Sequence, residues 1–496
     1  MRKNNSIDYL FTPQKQSPVA ILLILYKFLT QVLKSAFPVV LIIFFNPNKS
    51  FDGIELLLFI LISVASTVLS IAAYYKFEYF IRNDEIIIQK GIIKKINLDV
   101  PFDRIQAINT NQTFLHRIFN VASLEIDTAG SKDNEIKIDA ISLDRAEALK
   151  DYILKQKEQL SPLLSVDQIV VKEEDNVLMK LDFLALLIVG IGQNHMRSIA
   201  IITFFFIGLS QYADILIDEQ QLSEAEQIIN DSFQSIVLIL IPTLIIASLV
   251  LTLSRTVLKY YDLRFIHTPQ GYKLVSGLFT RNEKQAALPK IQLVGWHTNP
   301  LKRIFSMFEL NLSQAFSTNM VRAQTMQIPG VYRDQLQLVC NSYFPIENRV
   351  DMIRHRVSPR LMIRTFSFYV IPLLLIASSK IIIPEIPIDW WVLIASLLFS
   401  ITYTYVSWRK WNIQVGANGL LVQRGFLKIT FLLLQWNKIQ GLRIRQSIFQ
   451  KNRSLADLHL FTAAGIVKLP YLKQEVAEEL RDYILYYVET DNEPWM

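Results

Sequence analysis

The chain of 496 residues reads as an α+β membrane protein: six transmembrane helices in three hairpins, each hairpin followed by a small antiparallel β-barrel or sandwich module closed by a helix. Three observations predict this. Hydrophobic residues make up 51% and charged residues 19% of the chain, the balance of an integral membrane protein with substantial polar parts. Uncharged runs long enough for a hydrocarbon core, which takes about 20 helical residues, recur along the chain. A polar pattern follows these runs three times with constant spacing. Its anchors are Gly91, Gly277 and Gly425. Fourteen residues on come Ile105-Gln106, Ile291-Gln292 and Ile439-Gln440; eleven beyond each Gln stand Arg117, Arg303 and Lys451; twelve further lie Ala129, Ala315 and Ala463. Spacing kept inside one chain is the mark of a duplicated supersecondary unit.

The membrane segments come first. Leu56–Tyr75 and Ser235–Leu253 are free of charged residues, Trp390–Trp408 is flanked by interfacial aromatics, and Phe366–Ser379 is extended by Lys380, which can snorkel, and by Ile381–Ile383. Two further stretches are mixed. Val19–Phe45 carries Lys27 and Lys34 on one helix face, so its first half reads as an interfacial amphipathic helix and Ser35–Phe45 as part of a crossing. Leu184–Gly192 reads in the same way, with Ser198–Tyr212 crossing. Pro38, Pro242 and Pro372 each fall within a crossing, which is tolerated where the freed backbone groups find partners.

The loops inside the hairpins are Asn46–Gly53, Ala213–Asp231 and Pro384–Asp389, and their basic content is Lys49 alone. The middle loop is acidic, from Asp214 to Asp231. Nearly all of the 51 basic residues lie on the other side, which by the positive-inside rule places both termini and all three modules in the cytoplasm. The formal net charge of +7 follows from the same bias; an anionic-lipid surface is the sharper reading, and nucleic acid is not expected. The N-terminal stretch has no short apolar core leading to a small-residue cleavage site, so the chain is read as mature. With Cys340 as the single cysteine there is no intramolecular disulfide.

Each module opens at an aromatic hairpin exit: Tyr74-Tyr75, Tyr260-Tyr261 and Trp408 to Trp411. A strand, a turn and a second strand then lead to the anchor Gly. The turns are Asn83-Asp84, Pro269-Gln270-Gly271 and Asn418-Gly419. A further strand runs to a breaker, Pro101, Pro289 or Trp436-Asn437, before the Ile-Gln pair. Leu124–Asp127, Leu310–Ser313 and Leu458–Phe461 alternate as strands. Modules one and three close with helices over Ala146–Ile153 and Ala477–Ile484, and Leu149, Tyr152 and Ile153 fall at helical spacing to cover one end of the barrel. Tyr332–Val339 holds a shorter equivalent in module two. The repeat leaves open whether the three modules pack together; packing would follow from module contacts that lie outside the repeated pattern.

A membrane hairpin feeding a strand pair, a Gly, an Ile-Gln fourteen residues on and a barrel-closing helix resembles the bacterial pleckstrin-homology-like (bPH) domain. Three such units after paired membrane helices resemble the YdbT-like membrane proteins, over nearly the whole chain. The resemblance implies a PH-like barrel with a C-terminal helix, no catalytic residue, a place in the bacterial inner (plasma) membrane, and a role in envelope stress or antimicrobial resistance. Module three departs from the pattern at Trp436-Asn437-Lys438, where the others carry a proline. The boundaries then read 18–75 for membrane hairpin 1, 76–157 for PH-like module 1, 181–258 for hairpin 2, 259–345 for module 2, 359–408 for hairpin 3 and 409–488 for module 3.

Motifs for chemistry are missing. There is no phosphate-binding glycine loop, no Gly-x-Ser-x-Gly elbow and no His-Glu-x-x-His pair. No cofactor and no metal site is expected; the six histidines read as solvated or capping groups. The Ile of each Ile-Gln pair reads as core, and Gln106, Gln292 and Gln440 as bonding backbone at a turn or strand edge. Basic residues crowd the hairpin at each Gly: Lys90, Lys94 and Lys95; Arg281 and Lys284; Arg424 and Lys428, followed by Lys438, Arg443 and Arg445. A solvated positive-inside face is the plain reading. Docking on anionic lipid, at roughly 1 kcal/mol for each basic residue near the surface, is the functional one. The expected function is non-enzymatic, a membrane-proximal scaffold that binds partner proteins or anionic lipid. The alternative is a component of a transport or export system with the helices as the active part.

Overall fold

The computed structural model describes residues 8–26, 30, 53–92, 95–128, 136–160, 177–210, 233–269, 271–314, 325–345, 352–383 and 389–490. Lys27, Lys34, Ser35–Phe45, Lys94, Ala129, Ala315 and the loops read inside the three hairpins lie outside these, apart from the loop ends Gly53 and Asp389. The chain divides into two units, Met1–Arg264 with Lys273–Gln285, and Phe265–Tyr272 with Ala286–Met496. The division falls inside the middle module.

In the first unit, helix α1 (Gly53–Tyr75) leads into β1 (Glu78–Arg82), β2 (Glu85–Lys90) and β3 (Ile96–Pro101), which form one antiparallel sheet. Asn83 and Asp84 both have positive φ, the backbone of the tight hairpin turn that Asn and Asp tolerate. Next come β4 (Ile105–Gln112), α2 (Phe114–Ile118), β5 (Val121–Thr128), β6 (Ile136–Ser142) and the closing helix α3 (Leu143–Leu160). Tyr79, Ile88, Phe102, Leu124, Leu149 and Ile153 are buried in one core, with Tyr152 packed against it. Helical residues 19–26 bring Ala20 and Leu23 onto Tyr74, Val121 and Ala140. That position, across the module and the end of α1, suits an interfacial segment.

Strand β7 (Val177–Lys180) and the helices α4 (Phe183–Ile191), α5 (Met196–Ser210) and α6 (Phe233–Tyr260) follow. Asp182 caps α4, accepting from the Ala185 amide at 3.2 Å. Helices α4 and α5 meet at a 70° bend and pack on α6, where the Ser198 and Thr252 hydroxyls bond at 2.8 Å. A Cβ at Gly190 would stand 2.6 Å from Leu253 Cδ2, the close approach that small residues allow between membrane helices. Beyond α6 lie β8 (Arg264–Thr268), β9 (Gly271–Ser276) and β10 (Arg281–Ala287). Within the first unit β10 pairs with β4 through Arg281–Gln112 and Asn282–Asn111, so that β6-β5-β4-β10-β9 run side by side.

The second unit continues with β11 (Ile291–Thr298), α7 (Pro300–Ile304), β12 (Met307–Gln314), β13 (Thr325–Tyr332) and α8 (Arg333–Tyr343). Then follow β14 (Ile353–His355), α9 (Arg360–Ile382), α10 (Trp390–Arg409), β15 (Asn412–Gly416), β16 (Gly419–Gly425) and β17 (Ile429–Gln435). The chain closes with β18 (Ile439–Arg445), α11 (Ile448–Lys451), β19 (Leu455–Thr462), β20 (Gly465–Lys473) and α12 (Gln474–Thr490). One seven-stranded sheet runs β13-β12-β11-β17-β16-β15-β14, and β18-β19-β20 forms a second. Contacts between modules therefore do not lie outside the repeat: β4 and β11, the strands that carry the Ile-Gln pairs, make them. Pairing from Val294–Leu433 to Thr298–Ile429 satisfies backbone groups that would stand open at each module's edge. Trp296 and Phe431 stack across this junction at 5.2 Å. Strand β18, equivalent to β4 and β11, remains at a sheet edge.

Among the described residues three helices are long and apolar enough to cross a membrane, Leu238–Tyr260, Arg360–Ile382 and Trp390–Arg409, and the bent α4–α5 pair passes the same test as a unit. Pro242 and Pro372 lie inside helices, as expected. The third hairpin is a packed helix pair, with Tyr369 edge-on to Tyr403 at 5.3 Å.

One expected turn moves by a residue. The turn between β15 and β16 is Ala417-Asn418, because Gly419 already pairs with Gly416. The departure at Trp436 does not alter the fold: Phe102–Arg104, Leu288–Lys290 and Trp436–Lys438 are equivalent 3₁₀ turns, and Trp436 is fully buried with its Nε1 donating to Gly416 O at 3.2 Å.

The anchor glycines have φ of 112°, 116° and 135°. A Cβ on Gly425 would lie 1.9 Å from Lys428 O. Gly425→Ala should therefore cost about 1–3 kcal/mol, read as a lower thermal midpoint of the purified full-length protein, whereas Ala at the neighbouring exposed Lys428 should leave the midpoint within a degree or two.

Candidate lipid-facing site

The basic hairpins sit at the ends of membrane helices. In the first unit Gly277 N donates to Tyr261 O at 2.8 Å and Leu278 N to Leu258 O at 3.0 Å, so the β9–β10 turn rests on the last turn of α6. In the second unit the Phe426 ring lies 5.0 Å from Tyr403 and 6.2 Å from Phe399, both on α10. Lys410 Nζ donates to Phe426 O at 2.6 Å. Turns fastened in this way hold the flanking cations beside the ends of α6 and α10.

Lys95, Arg281, Lys284, Arg424 and Lys428 are exposed. Arg424 lies with its guanidinium 5.9 Å over the Trp411 ring, a cation–π contact on an interfacial aromatic; surrounding protein pushes its pKa below the ordinary value. Lys284 is also lowered, first by desolvation and then by Lys259, with Glu125 opposing. Arg281 and Lys284 flank one turn and Arg424 and Lys428 another, while Lys95 stands at the turn of module one, where Lys94 lies outside the described residues. Lys438 does not belong with them: it is buried, and its Nζ donates to Pro289 O at 3.0 Å. Arg443 stacks on Phe461.

The Ile-Gln pairs have a backbone meaning. Ile105, Ile291 and Ile439 are buried, and the strand register slips at the following residue in all three modules, between Ile105 and Ala107, Ile291 and Leu293, and Ile439 and Gly441. Each Gln is thus the extra residue of a β-bulge. The expectation that the Gln side chains bond backbone is not met at Gln292, whose amide is fully buried with no partner among the described residues; Gln440 is exposed, and the Gln106 side chain lies outside the described residues.

In a second bulge Ser123, Glu309 and Asp457 each stand opposite two residues of β6, β13 and β20, beside the short helices α2, α7 and α11. The helices begin after Thr113, Asn299 and Ser447; the last two cap with side-chain oxygens accepting from Lys302 N and Gln450 N. In module two Lys302, only 2% exposed, donates to Glu309 Oε2 at 2.9 Å, and His297 Nε2 lies 3.2 Å from the same oxygen. Module three substitutes Gln450 Nε2 to Asp457 Oδ1 at 2.6 Å. Sequence reading missed these pairs, although the N-cap residues Asn299 and Ser447, three residues before Lys302 and Gln450, mark where they begin. In the first unit Glu283 holds Lys150 at 2.5 Å and Lys273 at 3.4 Å. Burial raises its carboxyl, but the two ammoniums outweigh this and hold it below the ordinary value. Among the described residues no three His, Cys, Asp or Glu side chains converge as metal ligands.

Apolar helices that feed small β-modules, with basic turns resting on the helix ends, define a membrane protein carrying PH-like modules. The chain belongs to the bacterial PH domain family, whose model matches residues 22–157, 199–343 and 367–488. It is also 23% identical over 505 aligned residues, covering 95% of this chain and 97% of the relative, to the UPF0699 transmembrane protein YdbT of Bacillus subtilis (strain 168).

Burial raises the Glu309 carboxyl, but the His297 hydrogen bond and the Lys302 ammonium outweigh it and pull the group from 4.5 to about 2. A pKa depressed by folding gives stability that is complete above about 4.5 and is lost as pH falls toward 2. Glu309→Gln leaves Lys302 buried without its counter-charge and should cost about 3–5 kcal/mol near neutral pH. The gap in thermal midpoint between the variant and the natural protein should narrow as the pH is lowered from 5 to 3.

Proposed function

We propose that this chain is a non-enzymatic protein of the bacterial inner membrane. Its six crossings, in three hairpins, carry three cytoplasmic PH-like modules, with the boundaries read from the sequence. The modules act as a membrane-proximal scaffold that holds anionic lipid at the basic hairpins and presents a protein-binding edge within a complex serving envelope stress or antimicrobial resistance. The observation that supports this reading is the fastening of the Gly277 and Gly425 turns to the ends of α6 and α10; on this reading Arg281, Arg424 and Lys428 lie within a Debye length of the headgroups. The edge strand β18, with exposed Arg443 and Arg445, suits an acidic extended segment of a partner protein.

A transport or export component is the second reading. The direct Ser198–Thr252 bond and the packing of Gly190 on Leu253 support a dry helix bundle over a water-filled path.

The test is amide hydrogen exchange of the full-length protein in nanodiscs of neutral or anionic lipid. Protection across residues 423–431 should rise in anionic discs, fall with added salt, and vanish in the Arg424→Gln/Lys428→Gln double variant. Protection that is equal in the two lipids would overturn the electrostatic reading.

A further inference from the structure

The short helices α2, α7 and α11 are the part of the repeat that the basic hairpins leave unused. Each follows a capping-type residue and each leaves large apolar side chains without cover. In module one Phe114, Ile118 and Phe119 are exposed; in module two Leu301, Ile304 and Phe305 are, with Ile304 74% exposed. In module three Ile448 is 78% and Phe449 84% exposed. Beside them stand the repeated cations Arg117, Arg303 and Lys451, also exposed. A soluble module gains nothing from apolar groups presented to water at the same place three times.

Each turn is referred to the bilayer by its own contacts. Phe114 of α2 packs edge-on against Phe279 at 5.5 Å and Arg117 donates to Leu278 O, while Leu278 N bonds Leu258 O of the membrane helix α6. Leu115 also packs beside Ile21 and Ile24 of the helical segment 19–26. Helix α7 starts two residues after Thr298, which pairs with Ile429; Ile429 pairs in turn with Gly425, next to the Phe426 ring that rests on α10. Helix α11 is tied through Gln450 to Asp457. Asp457 lies 3.8 Å from Arg364, on the second turn of α9, and the Arg364 guanidinium covers Tyr471 at 5.1 Å.

We propose that α2, α7 and α11 are in-plane membrane wedges: their apolar side chains enter the boundary between headgroups and acyl chains, and Arg117, Arg303 and Lys451 meet the phosphates above. The occupant is the surface of the same bilayer that the adjoining helices cross. Short amphipathic segments with bulky apolar residues and basic neighbours bind lipid in this way, sinking about 5–10 Å below the surface. The inference rests on the reading that the modules lie against lipid, but it calls on apolar burial where the basic hairpins call on charge.

The two are separated by a depth measurement in the full-length protein. A spin label at Asn452→Cys, exposed on the same turn as α11, is compared in proteoliposomes with one at Ile466→Cys, exposed at the far end of the β19–β20 hairpin; Cys340 is buried and stays unlabelled. The label at 452 should be more accessible to oxygen than to a water-soluble nickel chelate, in neutral phosphatidylcholine as well as anionic lipid and at high salt. The label at 466 should show the reverse. Adding Ile448→Ser/Phe449→Ser, which removes no buried contact, should return the 452 label to aqueous accessibility. If the 452 label behaves like the 466 label in both lipids, the wedge is overturned, whatever the hairpin exchange experiment shows. If it is buried only in anionic lipid at low salt, charge alone holds the modules and the apolar insertion is overturned.

Discussion

The structure depends on the pairing of sheet edges between successive repeats. A three-stranded sheet curled over a helix leaves a row of unpaired amides and carbonyls at its edge, and that edge must be paired or protected. In the first unit β10 takes the edge of β4; in the second β17 takes the edge of β11. The second junction is the longer and the more apolar. Its Trp296–Phe431 stack adds about 0.5–1.5 kcal/mol beyond area burial, and Gly295 lets Leu432 approach to a distance a side chain would crowd. The first junction is short and polar, and relies instead on Glu283 between Lys150 and Lys273. One topological solution is thus stabilised by two different chemistries.

Pairing of this kind governs what the modules can do. A strand that joins a neighbour fixes the turn beside it, and the turns so fixed are those that rest on α6 and α10. Cations beside such a turn are held at the helix end and have little freedom to leave it. Charge at the terminal edge has a second effect: the exposed Arg443 and Arg445 on β18 oppose indiscriminate edge-to-edge association.

Much of this was legible in the sequence where one residue type answers one backbone demand. Gly91, Gly277 and Gly425 mark turns with positive φ, Asn83-Asp84 marks a tight hairpin, and Ile105, Ile291 and Ile439 mark core positions. Spacing also announced the repeats, because insertions inside a small barrel would break its register. The junctions were not legible. They use backbone groups, and although the strand before Pro289 is read from the sequence, nothing in Arg281–Ala287 marks β4 as its partner. Lys438 read as a surface cation because nothing local reveals that Pro289 O will satisfy it within the core. The bulges hid for a related reason: an extra residue in a strand leaves no mark on composition, only on the phase of alternation. Phe114, Ile304 and Phe449 passed unnoticed in a chain that is half hydrophobic, since exposure, not identity, sets them apart.

The central claim is that repeats join through a defined strand register, and disulfide trapping in the full-length protein tests it most directly. Cysteines at Trp296 and Phe431, which face each other across β11 and β17, should cross-link rapidly and completely under mild oxidation. Cysteines at Trp296 and Thr430 point to opposite faces of the sheet and should not. Equal trapping of both pairs, or of neither, would contradict the account.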